Sequence, residues 1–338
     1  MTSAGAAEAT AYCRHVLPRV SRTFAINIEM LAPSLRDTVR VGYLLCRAAD
    51  ALEDSWPGEP EEIAKRFERF TRAVEGDDLQ GSALAAAAAA LEDPRDDIGL
   101  LSELPLVLHA LATRPETDRA TVRTCVSTMA AGMSRYAGRA AARPPEACYL
   151  DDESELFDYC WVVAGCVGVM LTQLFQQRLA GSSDPARERR RELAPRVGEA
   201  LQLTNILLDL PQDLRRGRCY LPAAWLSERG LSPRDFLGAP RPDGREVAAR
   251  LETLAHAALD RVPEYVDTIP SRHLRYRLFC LWPAMWARAS LQLVHGDAGF
   301  PFRPGRARLT RAALWGSAAR SLVLAHSRDG VRRLLAGA

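Results

Sequence analysis

The stretch Leu35-Arg36-Asp37-Thr38-Val39-Arg40-Val41-Gly42-Tyr43-Leu44-Leu45-Cys46-Arg47 runs through Ala48 and Ala49 into Asp50-Ala51-Leu52-Glu53-Asp54. Its apolar residues recur at helical period, which predicts a helix over roughly 34–54. On a helix, positions i, i+3 and i+4 share a face, so Asp50, Glu53 and Asp54 point the same way. Three like charges on one turn repel, and a helix C-terminus disfavours acids further. The arrangement costs stability unless a cation compensates it.

The same period continues outward. It predicts further helices over 60–75, 115–138, 154–180, 188–213, 244–267 and 271–296. Turn chemistry separates them: Pro57-Gly58, Arg143-Pro144-Pro145, Gly181-Ser182-Ser183-Asp184-Pro185, and the Gly/Pro-rich stretch Gly230–Gly244. Ala85–Ala90 is a low-complexity run of high helix propensity. No strand-like alternation and no fixed repeat stand out. The expectation is a single all-α domain over 1–338.

A formal net charge of +2 on 338 residues argues against a bulk electrostatic grip on nucleic acid. Lys65 is the only lysine, so the positive charge is almost all arginine. Met1–Thr10 lacks the apolar core of a signal peptide. Trp161–Phe175 is the most apolar run, but it is short for a span and is interrupted by Gly165 and Gly168. A buried helix fits it better. None of the eight cysteines forms a C-x-x-C pair. Cys13, Cys46, Cys125, Cys160, Cys166 and Cys280 lie in apolar helical pattern, as reduced cysteines do. A reducing cytoplasm fits that usage.

A second acidic cluster is Asn205-Ile206-Leu207-Leu208-Asp209-Leu210-Pro211-Gln212-Asp213. Asn205, Asp209 and Asp213 are spaced by four, a stripe of oxygens along about 12 Å of one helix face. Apolar residues surround the stripe, so it needs partners. Oxygen donors without His or Cys favour Mg²⁺ over zinc. A lone D-x-x-x-D is commonly a solvated face; two such clusters in apolar helices favour metal. Arginines accompany both. Arg47 lies one turn before Asp50, with Tyr43 one turn earlier, and Arg215-Arg216-Gly217-Arg218 follows Asp213. Arginine beside Mg²⁺-type ligands points to phosphate oxygens as the shared target, with Arg218 the favoured contact.

Several ordered blocks resemble the squalene/phytoene synthase family of head-to-head prenyl transferases, over roughly 11–300. Ser21-Arg22-Thr23-Phe24 resembles its S-R-[ST]-F block, and Tyr43 through Asp54 its Y-x-x-x-R-x-x-D-x-x-[ED]-D block. Met129-Ala130-Ala131-Gly132-Met133 resembles its M-x-x-G-M segment. Tyr159-Cys160-Trp161-Val162-Val163-Ala164-Gly165-Cys166-Val167-Gly168 resembles its Y-C-x-x-V-A-G-x-V-G helix. Gln202 through Asp213, then Arg216-Gly217-Arg218-Cys219-Tyr220-Leu221-Pro222, resembles its second aspartate block.

The resemblance implies the class I isoprenoid synthase bundle, its two acidic helices facing across a central cavity. It implies that Asp50, Glu53, Asp54, Asn205, Asp209 and Asp213 hold Mg²⁺. Ser21, Arg22, Tyr43, Arg47, Gln202 and Arg218 would bind diphosphate. Phe24, Val163, Gly165, Phe279 and Pro283 would line the prenyl pocket. Tyr159 would steer proton loss as a cyclopropyl intermediate forms, and the aspartates would be catalytic through the metals. The chemistry is coherent: Mg²⁺ and arginine stabilise the departing diphosphate, and an apolar cavity keeps the allylic cation from water. Gly165 and Gly168 would let substrate or a neighbouring helix approach.

Within that family, Phe279-Cys280-Leu281-Trp282-Pro283-Ala284-Met285-Trp286-Ala287 resembles the F-C-x-x-P-x-x-x-A stretch of squalene synthases. The expected reaction joins two farnesyl diphosphates through presqualene diphosphate to squalene, using Mg²⁺ and NADPH. Two departures bear on this. Leu208 stands where the family often has Arg or Lys, and His15 stands where animal squalene synthases carry a lysine. Alternatives left open are a phytoene or dehydrosqualene synthase without NADPH, using farnesyl or geranylgeranyl diphosphate, a presqualene diphosphate synthase, and a terpene cyclase. Outside catalysis stands a helical lipid-binding or partner subunit. No C-terminal anchor is expected in arginine-rich Ser321–Ala338, so the expected location is cytoplasmic with peripheral contact at the inner membrane. The sequence carries no signature of oligomeric state.

Overall fold

The structure, a computed structural model, describes residues 3–56, 58–144 and 147–337. The expected turns at Pro57 and Pro145 therefore fall on positions outside the described residues. The chain divides into two compact units, Met1–Ala142 and Arg143–Ala338.

The first unit contains helices α1 (Ser3–Val20), α2 (Arg22–Glu29), α3 (Pro33–Asp54), α4 (Pro60–Glu75), α5 (Asp78–Ala89), α6 (Asp96–Ser102), α7 (Leu104–Ala112) and α8 (Glu116–Ala141). Local chemistry explains the ends of α4. Pro60 opens it, Glu61 and Glu62 sit in its first turn, and Gly76 closes it with φ +118°. Ile63, Phe67, Phe70 and Val74 form its buried stripe, each worth about 1.5–3 kcal/mol on full burial. α8 receives both α3 and α4. Met129 and Met133 are buried in it, so both methionines of the M-x-x-G-M segment are core.

The second unit begins with strand β1 (Cys148–Leu150) and α9 (Glu153–Cys160). A π-helical turn, Trp161–Gly165, leads into α10 (Cys166–Gln176). Then come α11 (Asp184–Arg215), β2 (Cys219–Pro222), α12 (Ala223–Ser227), α13 (Pro242–Leu259), α14 (Val262–Asp267), α15 (Leu274–His295), α16 (Arg311–Leu324) and α17 (Arg328–Ala336). α11 is the hub, packed against α10, the π turn, α13, α14 and α15. It starts inside the turn expected over 181–185, four residues ahead of the expected 188: the Ser183 side chain accepts from the Ala186 N–H, and Gly181 turns the chain at φ +70°.

Four expectations change. β1 and β2 form a parallel pair, with Cys148 opposite Cys219; strands this short carry no readable alternation. The helix over 154–180 is interrupted by the π turn and stops at Gln176. The helix over 244–267 begins at Pro242 and breaks before α14, because Pro263 lacks the N–H that would continue the ladder. Eight further helices form that periodicity had not marked over their whole length: α1, α2, α5, α6, α7, α12, α16 and α17.

By length and composition alone, Glu153–Gln176 could cross a membrane. Here it packs on α11. A Cβ on Gly168 would lie 2.2 Å from the Ala194 carbonyl oxygen, and one on Gly198 would lie 2.1 Å from that of Ala164. These glycines let two backbones touch. The neighbour admitted at Gly168 is thus a helix. Gly165 is also buried, against Trp161 and Glu199, both within this unit.

Candidate active site

In the first unit, α2 and α3 gather five of the expected residues. Ser21 caps α2, its hydroxyl accepting from the Phe24 N–H at 3.4 Å. That hydroxyl also hydrogen-bonds the Tyr43 side chain, and burial pushes the Tyr43 phenol up to about 12. The Phe24 and Tyr43 rings lie 5.1 Å apart. One turn along α3, Arg47 grips Asp97 at 2.9 and 2.7 Å and stands 3.8 Å from Asp50. Arg22 is exposed at the start of α2.

Asp97 was not foreseen. It lies in the first turn of α6, 50 residues beyond Arg47. The only hint in the sequence is that a partly buried arginine needs a carboxylate. The fork places Arg47 between two acids and fixes its direction. Burial pushes the Asp50 carboxyl up to about 7, opposed by Arg47 and reinforced by Asp54 and Asp97. Asp50, Asp54 and Asp97 thus place three carboxylates at the corner that holds the Arg47 guanidinium. Asp54 is exposed and Glu53 half-buried at the helix end.

In the second unit, Asn205, Asp209 and Asp213 lie along α11 as expected. The structure adds Arg306 to them. Its Nη1 is 2.8 Å from Asp209 Oδ2, and its Nη2 is 3.0 Å from Asn205 Oδ1. No spacing in the sequence links that loop arginine to α11.

α11 ends in a Schellman motif. The Gly217 N–H bonds the Leu214 carbonyl, the Arg218 N–H bonds the Asp213 carbonyl at 2.8 Å, and Gly217 takes φ +76°. The Arg-Gly-Arg sequence therefore returns Arg218 to the last aspartate of the stripe. Gln202 is half-buried one turn before Ile206 on the same helix.

β2 then carries Tyr220 to Tyr159. Their rings stack with centroids 5.1 Å apart, and Tyr149 meets Tyr220 edge-on at 5.0 Å. Tyr159 is 5% exposed, so its hydroxyl sits in a sheltered aromatic setting. Val163 is half-buried in the π turn, a local geometry frequent at functional sites. Phe279 belongs to the core, edge-on to Phe175 at 5.6 Å. Pro283 is half-buried on α15.

Among the described residues, no three His, Cys, Asp or Glu side chains converge as a closed metal cage. One helix face sets its ligands about 5–6 Å apart. Mg²⁺ suits such an open set, taking one or two carboxylates and completing its shell with water and phosphate oxygens. The residues fit it on electrostatic grounds too. The Asn205–Asp209 oxygens hold a guanidinium cation, and burial, reinforced by Asp54 and Asp97, holds the Asp50 carboxyl back from ionising.

Residues 17–313 match the family model described as squalene/phytoene synthase. The chain belongs to this family of prenyltransferases. It is similar to a phytoene synthase from Pseudescherichia vulneris, 30% identical over 80% of this chain and 75% of that one. It is also similar to the human squalene synthase, 26% identical over 84% of this chain and 63% of that one. The chain thus spans less than two thirds of the human relative. Among solved structures, TcSQS with a ligand superposes with TM-score 0.78 at 22% identity, covering 97% of this chain and 89% of that one. A dehydrosqualene synthase with a ligand gives TM-score 0.67 at 19% identity, covering 94% and 96%. The helical architecture is the squalene-synthase-like isoprenoid synthase fold.

Proposed function

We propose that this protein condenses two farnesyl diphosphates head to head, through presqualene diphosphate, to squalene. Mg²⁺ is its metal and NADPH its hydride donor. One observation carries the diphosphate part: each unit bears an acidic helix whose charge calls for cations, with arginine beside it. Asp50, Glu53 and Asp54 bind one share of the metal, and Asn205, Asp209 and Asp213 the other. Bound Mg²⁺ supplies charge neutralisation at the departing diphosphate. Arg22, Arg47, Arg218, Tyr43, Ser21 and Gln202 bind and orient that group. The single synthase domain expected over 1–338, serving one reaction with both clusters, is part of the same proposal.

Tyr159 assists the proton loss that closes the cyclopropane. Its stacking on Tyr220 holds the ring while the phenol works. Val163, Phe24 and Pro283 keep water from the cation. Phe279 contributes from behind, through its contact with Phe175. A cytoplasmic location fits its free cysteines, and peripheral contact with the inner membrane fits a membrane-soluble product.

A second reading has specific support. A relative 30% identical is named a phytoene synthase, and that reaction loses a proton where squalene synthesis takes hydride. The test is product analysis by mass spectrometry with Mg²⁺, with and without NADPH. Squalene formed only with NADPH supports the first reading. A C30 hydrocarbon indifferent to NADPH, or a C40 product from geranylgeranyl diphosphate, replaces it with the second.

A further inference from the structure

α16 buries hydrogen-bonded serine and exposes large apolar side chains. Its inward face sets two serines among Leu314, Ala318 and Leu324: Ser321 is fully buried and accepts from Trp282 Nε1 at 2.8 Å, while Ser317 accepts from Trp286 Nε1 at 3.1 Å. These two bonds and buried Ala318 dock it on α15. Its outward face is apolar: Trp315 is 58% exposed, Leu322 52% and Val323 76%. Single exposed apolar residues are ordinary, but a cluster is informative. At about 100° per residue, Leu322, Trp315, Ala319, Ala312 and Val323 fall within one arc of roughly 100°. Arg311 and Arg320 border that arc on its two sides.

Charge identifies what covers it. From Arg303 to the end of the chain there are eight arginines and one acid, Asp329, although the whole chain carries only +2. Arg306 is held by Asp209. Among the described residues, Arg308, Arg311, Arg320, Arg332 and Arg333 make no ion pair. α17 buries Val331, Leu334 and Leu335 and leaves Arg328, Arg332 and Arg333 in solvent beside α16. A second copy on this face would set arginine against arginine.

We propose that the outer face of α16 seats on an anionic lipid bilayer, with α17 adding basic contacts. Trp315, Leu322 and Val323 enter the headgroup boundary, where tryptophan is favoured. Arg311 and Arg320 lay their stems along the apolar edge and turn their guanidiniums to lipid phosphates. A helix of 14 residues is too short to span and lies in the plane of the surface. The inference stands on this surface alone and does not depend on the reaction proposed above.

The test is co-sedimentation of the full chain with phosphatidylcholine vesicles and with vesicles enriched in phosphatidylglycerol. Binding is expected only to the anionic vesicles, and it weakens as salt rises. Arg311→Gln and Arg320→Gln each lower the partition coefficient roughly fivefold. The double variant Leu322→Glu with Val323→Glu abolishes binding while its melting temperature stays that of the wild type, since both positions face solvent. Brominated lipid quenches tryptophan fluorescence in the wild type and less in Trp315→Phe. Absence of binding to anionic vesicles overturns the proposal, as does equal binding by the Leu322/Val323 variant. Lipid-free dimerisation abolished by that same variant also overturns it, because the face would then be an interface between copies.

Discussion

Arg306 stands 97 residues from Asp209 in the sequence and 2.8 Å from it in space. The guanidinium spans Asp209 and Asn205, two of the three oxygen-bearing side chains on the acidic face of α11. A positive group thus sits on oxygens proposed to meet Mg²⁺.

The two cations compete. Arg306→Ala is expected to raise the affinity for Mn²⁺, used as a Mg²⁺ probe, in calorimetry. The pair is part-exposed, so its loss is worth ~0.2–1 kcal/mol, or roughly 1.5- to 5-fold. The gain should shrink in high salt. Unchanged or weaker Mn²⁺ binding would contradict competition at this face.

Asp50 gives a pH signature. Its folded pKa, raised to about 7, lies above the ordinary carboxylate value of 3.8. Below about pH 4 both folded and unfolded chains carry the proton, and this group costs nothing. Between pH 4 and 7 the unfolded chain releases it first, so stability falls as pH rises, and the penalty is complete above 7. Melting without divalent ions should therefore fall across that window by less in Asp50→Asn than in the wild type. Mg²⁺ at pH 8 should restore more in the wild type. Parallel melting curves for the two proteins would sink this account.

Much of the helical frame was legible. α4 was readable end to end because Pro60, Glu61 and the αL-forming Gly76 sit where termini need them. The break before α11 was readable in Gly181-Ser182-Ser183-Asp184-Pro185, but the helix begins within it, at Asp184, because Ser183 caps it. What escaped has physical causes. α6 and α7 are too short to establish a period, and Glu103-Leu104-Pro105 divides them. α16 buries serine and exposes tryptophan, which defeats an amphipathic reading. At the site, the acidic stripes were visible because their spacing is local. The Arg47–Asp97 and Arg306–Asp209 pairs were not, since no local rule joins residues so far apart.

Gly198 was also missed, because its requirement comes from a neighbouring helix. Gly198→Ala would press a methyl into the Ala164 carbonyl. The expected cost is about 1–3 kcal/mol, the range for overpacking, read as a lowered denaturation midpoint. A midpoint equal to wild type would show that α11 can shift away freely.

Tyr159→Phe keeps the ring that stacks on Tyr220 and removes only the hydroxyl. Melting should be little changed. Formation of condensed product in a single turnover should fall about 100-fold or more, as for loss of a proton-transfer group, while binding of farnesyl diphosphate holds. Full product yield would assign the phenol a packing role only.

The central claim is that both acidic helices serve one diphosphate-releasing reaction. The direct measurement is the rate of diphosphate release from farnesyl diphosphate with Mg²⁺ for the wild type, Asp50→Asn and Asp209→Asn, each verified as folded. Loss of charge stabilisation at the leaving group predicts a fall of about 100-fold or more in each variant. Wild-type release by either variant would contradict the claim.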